Sequence, residues 1–374
     1  MKVLIGCGGT GGHINPALAI AKYIARRNPG SEIVFCGSKG GMEEKLVPRE
    51  GFRLETFEIR GFRRSFKPAG VVYNLKNLRN VAHTSKSARA LVRGFEPDIV
   101  IGCGGYASYP VVHAAQKLGI ANVILEVNAL AGMTTRVLSK KADCTMICFE
   151  QTRTQVSGRE IVLTGSPVRE DILFADHDAA RRELGLDARP LIVSVWGSLG
   201  AQRMNELMCD FIAIEAKENH HQLIHAIGNY GYTWVPERIR EKGVELSAHP
   251  NIDVRDYIYD AARVYAAADL ILCRAGASTL GEMAVMGKPV ILVPSPNVAE
   301  NHQEKNARAL EAAGAAVVLL EKDLTAQTLY KTASGLLEDP EKCRALSRNI
   351  RKFAKPDALE NIYACIEKTL SGRR

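Results

Sequence analysis

Apolar positions along this chain follow two alternating rhythms. Short β-branched runs begin at Lys2, Glu32, Leu54, Asp98, Asn122, Cys144 and Glu160. A second series begins at Leu191, Gln222, Asn251, Asp269, Pro289 and Ala315. Between most of them lie longer stretches, such as Ala17 to Ile24, whose apolar residues recur at the three- and four-residue spacing of one helix face. Strand and helix in alternation predict parallel sheets covered on both faces, and two series predict two doubly wound α/β domains. The turn-rich Thr164-Gly165-Ser166-Pro167 marks the seam, giving a first domain over 1–166 and a second over 167–351. Beyond it Pro356 and Asp357 start one more helix, with Leu359, Ile362, Tyr363 and Ile366 on a single stripe. Such a face needs a surface to cover, so residues 352–374 are expected to return to the first domain.

Composition narrows the class without changing the architecture. With 374 residues, 46% hydrophobic and 24% charged, the chain is neither disordered, collagenous nor a small disulfide scaffold. No apolar run approaches the ~20 residues of a membrane span, and the apolar block at the N-terminus is too short for a signal peptide. The nine cysteines are odd in number and scattered, several of them at the ends of apolar runs, as expected of reduced, buried thiols. Cys144 and Cys148 are read as core residues for want of a second metal-ligating pair. Charge does change the picture. Lys plus Arg exceed Asp plus Glu by 49 to 41, and the stretch from Arg60 to Phe95 carries nine Lys/Arg and no Asp or Glu. An anionic partner is implied.

Candidate chemistry sits where strands run into glycine. Gly6-Cys7-Gly8-Gly9-Thr10-Gly11-Gly12-His13 precedes a helix that Asn15 can cap, with Pro16 as its first residue. Its glycines let backbone amides approach an oxyanion at a helix N-terminus. Gly6, Gly8 and Gly11 also fit a dinucleotide fingerprint, but Val34 to Lys39 offers no acidic residue for a ribose. Gly102-Cys103-Gly104-Gly105-Tyr106 is a second such turn, and the following strand ends in Glu126-Val127-Asn128. His13, Tyr106, Glu126 and Asn128 should therefore meet at one sheet edge. In the second half, Gly197-Ser198-Leu199-Gly200-Ala201 follows a strand, as does Cys273-Arg274-Ala275-Gly276-Ala277-Ser278-Thr279-Leu280-Gly281-Glu282. There the amides from Gly276 to Leu280 suit a diphosphate and Glu282 a ribose diol. Thr279 and Glu282 also spell a T-x-x-E capping box. Asn301-His302-Gln303-Glu304 offers amides to a sugar. Asp176-His177-Asp178 resembles a metal-holding D-x-D, but its place before Ala179-Ala180-Arg181 makes a helix cap the better reading.

In order along the chain, G-G-T-G-G-H at Gly8–His13, G-C-G-G-Y at Gly102–Tyr106, E-V-N at Glu126–Asn128, G-S-P-V-R at Gly165–Arg169, G-S-L-G-A at Gly197–Ala201, R-A-G-A at Arg274–Ala277 and N-H-Q-E-x-N-A at Asn301–Ala307 resemble the MurG family of N-acetylglucosaminyltransferases. The resemblance covers essentially the whole length. It implies a GT-B fold, two Rossmann-like domains facing a cleft, and inverting transfer of GlcNAc from UDP-GlcNAc to the C4 hydroxyl of undecaprenyl-diphosphoryl-MurNAc-pentapeptide in cell-wall synthesis. By the same resemblance Thr10, Gly11, Gly12 and Asn128 lie at the donor sugar, and Asn128 joins His13 as a catalytic candidate. Arg169, Ser198, the backbone at Ile258, Ala277, Ser278, Thr279, Leu280, Gly281, Glu282 and Gln303 hold UDP-GlcNAc, while His13, Tyr106 and Glu126 face the acceptor. His13 is either the general base or an acceptor orienter. Two positions depart from the family pattern: Val127 and His302 stand where relatives usually or often carry Gln. No metal or cofactor is called for, since glycine turns and helix dipoles can take the leaving-group charge, and no nucleic acid is expected.

Residues 60–93 are expected to bind an anionic membrane peripherally on its cytoplasmic face. Arg60, Arg63, Arg64 and Lys67 alternate with Phe62 and Phe66, and Val71, Leu75, Leu78 and Ala82 form one stripe beside Lys76, Arg79 and Lys86. Two rivals stand beside the transferase: a GT-B-fold UDP-GlcNAc epimerase, which needs no lipid acceptor, and a non-catalytic sugar-nucleotide-binding scaffold, which needs neither His13 nor Asn128.

Overall fold

A computed structural model describes residues 1–59, 84–197, 200–228, 231–298 and 301–373. Two compact units are present: Met1–Val168 with Lys355–Arg374, and Arg169–Ala354. In the first, β1 (Lys2–Gly6), β2 (Glu32–Ser38), β3 (Arg53–Phe57), β4 (Ile99–Gly102), β5 (Ala121–Glu126), β6 (Cys144–Ile147) and β7 (Ile161–Leu163) form one sheet in the order β3-β2-β1-β4-β5-β6-β7. In the second, β8 (Leu191–Val195), β9 (Gln222–Ala226), β10 (Ile252–Arg255), β11 (Leu270–Cys273), β12 (Val290–Leu292) and β13 (Val317–Val318) follow the order β10-β9-β8-β11-β12-β13. Each described strand starts within two residues of its expected position, and every pairing between them is parallel.

The strands read as continuous apolar runs because both faces are covered. β4, β5, β6 and β11 are buried at every position, as parallel sheets between helix layers require. Strand order reverses between β1 and β4, and again between β8 and β11. At such switch points neighbouring connections leave to opposite faces and open a crevice beyond the carboxyl ends of the strands. Those four ends are Gly6, Gly102, Val195 and Cys273, and each runs into a small-residue turn. Topology thus explains why the glycine turns carry the candidate chemistry.

The closing helix Ala358–Ser371 belongs to the first unit. Its stripe of Leu359, Ile362, Tyr363 and Ile366 is buried, and the Tyr363 ring meets Tyr23 edge-on at 5.7 Å. Four buried side chains of this size contribute roughly 1.5–3 kcal/mol each. Lys368 pairs with Glu160 at 2.7 Å and Arg373 with Asp143 at 2.6 Å, tying the last two turns to β7 and β6.

One local expectation is corrected, and one rival reading is set aside. The first helix spans Gly11–Arg27 with extended Thr10 at its N-cap, so Asn15 does not cap it and Pro16 lies inside it. The amides of His13 and Ile14 both reach the Thr10 carbonyl, at 3.1 and 3.2 Å, which starts the helix five residues early. Likewise the helix Ala277–Met286 begins after Gly276. Thr279 is therefore within the first turn, and Thr279 with Glu282 is not a capping box. Asp176 does cap its helix, accepting from the Ala179 amide at 2.8 Å. The nine cysteines are free thiols, seven of them buried and Cys148 and Cys343 half-buried.

Candidate active site

In the first unit the two glycine turns lie against each other. A Cβ on Gly104 would stand 2.6 Å from His13 Cδ2, and one on Gly105 only 2.2 Å from the Gly8 carbonyl oxygen. Both residues also adopt φ near +80° (87° and 72°), where side chains are disfavoured. Only glycine lets the second turn touch the imidazole. Tyr106 closes the other side, its ring edge 3.2 Å from where a Gly9 Cβ would lie. Thr10 Oγ1 and His13 Nδ1 are 3.2 Å apart. If Nδ1–H donates to the hydroxyl, Nε2 is the proton-accepting nitrogen.

At the end of β5 the Glu126 carboxylate is committed to its own loop. Oε1 accepts from the backbone N–H of Asn128 at 3.0 Å and from its side-chain amide at 3.1 Å, and Oε2 accepts from Gly132 N–H at 3.0 Å. Thr152 and Gln155 brace the same loop through the carbonyls of Asn128 and Ala129. Glu126 thus orients Asn128, and both are buried. Val127 is buried as well, at 1% exposure, so its position packs into apolar core rather than facing a polar ligand. Beneath the site, burial pushes the Cys7 thiol well up and Cys103 to about 12, which removes both as nucleophiles at neutral pH.

In the second unit the turn after β11 opens the helix Ala277–Met286. The amides of Ala277, Ser278 and Thr279 lie in its first turn, while that of Leu280 already donates to the Gly276 carbonyl at 3.0 Å. An anion at this end meets the first-turn amides and the positive end of the helix dipole. Glu282 follows one turn later. Burial raises its carboxyl to about 7, with Arg169 pulling down and Asp171 pushing up. Arg169, half-paired with Asp171 at 3.5 Å, thereby joins the turn from 113 residues upstream. Tyr265 feels both Glu282 and Tyr257, which brings the loop of buried Ile258 to the same place. Gln303 accepts from the Ser295 amide at 2.9 Å, fixing the loop beyond β12, and His302 begins the helix beside it. Gly281 lies inside the donor-turn helix, and Ser198 lies outside the described residues.

Three supports were not anticipated. Glu43, fully buried, accepts from the Ser38 amide and hydroxyl at 2.7 and 2.6 Å and reaches the Gly9 amide at 3.5 Å. An acidic residue does come to the end of β2, but it is spent bracing the first turn. Arg274 donates to the Val293 carbonyl at 3.0 Å, pairs with Glu321 at 2.5 Å and lies over the Trp196 ring, locking the donor turn to its neighbours. Asn306, buried, donates to the Ala275 carbonyl at 3.2 Å. The glycines packed around Glu43 (Gly37, Gly41 and Gly8) were the signal available in the sequence for the first of these.

Residues 3–147 match the glycosyltransferase family 28 N-terminal domain and residues 191–362 its C-terminal domain. A protein of Acetivibrio thermocellus described as UDP-N-acetylglucosamine–N-acetylmuramyl-(pentapeptide) pyrophosphoryl-undecaprenol N-acetylglucosamine transferase is 39% identical over 375 residues, spanning 100% of this chain and 99% of that one. The chain belongs to the MurG family of glycosyltransferase family 28. Like that family it is a glycosyltransferase of the GT-B class, built on two Rossmann-like domains. The crystal structure of Acinetobacter baumannii MurG superposes with a TM-score of 0.75 at 26% identity, covering 98% of this chain and 99% of that one. The UDP-GlcNAc 2-epimerase of Neisseria meningitidis reaches a TM-score of 0.66 at 14% identity, over 98% and 100% of the two chains. That likeness is one of fold alone.

Proposed function

We propose that this chain transfers N-acetylglucosamine from UDP-GlcNAc to the C4 hydroxyl of MurNAc in undecaprenyl-diphosphoryl-MurNAc-pentapeptide, with inversion. The observation that carries the reading is full-length kinship with the named transferase, joined to a paired-turn histidine site in one unit and a diphosphate-ready helix start in the other. The second unit holds the donor: first-turn amides of Ala277–Thr279 take the diphosphate, Glu282 the ribose diol, and Arg169, Ile258 and Gln303 the rest. The first unit addresses the acceptor through His13 and Tyr106, and the transferred sugar through Thr10, Gly11, Gly12 and Asn128. The acceptor oxygen forms its bond to the anomeric carbon as the bond to UDP breaks. Its proton passes to a base, with His13 the first choice, and the electron pair leaves on the diphosphate.

The test supplies sugar-labelled UDP-GlcNAc with or without the lipid-linked MurNAc-peptide. Label is expected in the lipid fraction only when acceptor is present. Conversion of UDP-GlcNAc to an epimer without acceptor would overturn the transferase reading.

The acceptor's lipid requires the enzyme to reach a bilayer, and we place it peripherally on the cytoplasmic face. No helix among the described residues is long and apolar enough to cross a membrane. Residues 60–83, including Arg60, Arg63, Arg64 and Lys67, lie outside the described residues. In the remainder of that basic stretch Ala88, Val92 and Phe95 pack into the core and Lys86, Arg89 and Arg93 are exposed. A described surface also suits lipid: Met133 and Val137, one helical turn apart, are 59% and 49% exposed beside Arg136 and Lys140. Exposed apolar groups flanked by cations favour an anionic headgroup boundary. Replacing Met133 and Val137 with Asp is expected to reduce co-sedimentation with phosphatidylglycerol vesicles several-fold while UDP affinity holds. Undiminished sedimentation would exclude this face.

A further inference from the structure

The second unit contains a cavity of about 570 Å³ whose lining includes none of the residues proposed for donor or acceptor. Pro190, Asp269 and Pro289 line it, and each immediately precedes a strand: β8, β11 and β12. It therefore opens at the amino edge of the second sheet, the opposite end from the donor turn. The helix Pro340–Arg351 forms one wall with Arg344, Ser347 and Arg351, spaced three and four apart. Its volume falls within the ~300–1,000 Å³ of small-molecule sites.

The lining charge is unbalanced. Arg181, Lys288, Arg344 and Arg351 face the cavity, and Asp269 is the only carboxylate among its lining residues. Arg181 neutralises that carboxylate at 2.8 Å, with His177 Nε2 a further 3.5 Å neighbour. Arg344 has an exposed partner in Glu341. Among the described residues neither Lys288 nor Arg351 has an ion-pair partner. Lys288 gives two of its three N–H donors to the Ala266 and Ala268 carbonyls, at 2.5 and 2.8 Å, which fixes the ammonium in place and leaves one donor. Arg351 makes a single long contact to the Met286 carbonyl, at 3.4 Å. Burial, with Arg351 and Arg181 nearby, holds the Lys288 ammonium down to about 8 against the pull of Asp269. A half-buried ammonium and an exposed guanidinium on one cavity wall, both without a counter-ion, are the expected state of a site whose anion arrives from outside. Met286, Leu337 and Pro190 supply apolar wall between them.

We propose that this cavity binds a phosphate monoester carrying a compact apolar body, with Lys288 and Arg351 on the phosphate and Met286 and Leu337 on the body. The phosphate could be borne by a soluble metabolite or by a lipid headgroup, and the test separates the two. Protein saturated with UDP, so that the donor turn is filled, is titrated calorimetrically with phenyl phosphate. In parallel, vesicles containing phosphatidic acid are compared with phosphatidylglycerol vesicles of equal surface charge. One further site for phenyl phosphate is expected, weakened about tenfold by Arg351→Gln, since each charge-assisted hydrogen bond lost carries an effect of that order. Lys288→Met should weaken it at least as much, and exposed Arg351 keeps the test valid if that variant folds poorly. Preference for phosphatidic acid that Arg351→Gln abolishes, without phenyl phosphate binding, assigns the phosphate to a lipid. No binding in either arm, or binding indifferent to both variants, overturns the proposal.

Discussion

Replacing His13 with alanine is expected to lower kcat by about 10²–10⁴, the usual worth of general acid–base help, with UDP affinity within a factor of two of the parent. The split follows from location. His13 stands on the first unit between Thr10 and the Gly104-Gly105 turn, whereas the residues proposed for UDP belong to the second. His13→Gln separates its two candidate roles, because glutamine can hydrogen-bond an acceptor hydroxyl but cannot take its proton. Recovery of more than a tenth of the parent kcat in the Gln variant would make His13 an orienter. Turnover by the alanine variant equal to the parent at saturating acceptor, with a lowered melting temperature, would return the imidazole to a packing role against Gly104.

Most of the framework was legible in the sequence because it is written in local patterns. Strand starts follow from β-branched runs, and the glycine turns announce themselves where those runs end. The supports were not legible because their partners are far apart in the chain. Glu43 braces Gly9 across 34 residues, Asn306 reaches Ala275 across 31, and Arg274 meets Glu321 across 47. Each is a polar residue whose burial depends on tertiary packing that no local pattern encodes. The early helix starts have a different cause. Asn15-Pro16 and Thr279-x-x-Glu282 are good local start signals, but in both cases the helix begins earlier, at the point where the strand-end turn delivers the chain to the sheet edge. A diphosphate site requires that early start, since it leaves first-turn amides at the edge. The local signal lost to the geometry of the crevice.

Glu282 gives the other large effect, and its sign depends on pH. Its carboxyl is raised from an ordinary value near 4.5 to about 7 by burial, with Arg169, Asp171 and Tyr265 as its charged or titratable neighbours. A carboxyl whose folded value is raised stabilises the fold while protonated. That contribution is complete below about 4.5 and is lost as pH climbs through 7. The difference corresponds to up to about 3 kcal/mol. Glu282→Gln, neutral at every pH, should therefore melt higher than the parent at pH 8 and match it at pH 4.5. Donor binding runs the opposite way. A ribose diol needs the carboxylate as a double acceptor, so KM for UDP-GlcNAc in the parent should fall roughly tenfold between pH 6 and pH 8. Glu282→Ala should raise that KM at pH 8 by the equivalent of 1–3 kcal/mol, and its KM should be flat across the same range. A residue kept for stability cannot give this pattern, because removing it would cost stability rather than add it. If Glu282→Gln melts lower at pH 8 and binds UDP-GlcNAc as tightly as the parent, the carboxylate serves the fold and the ribose is held by something else.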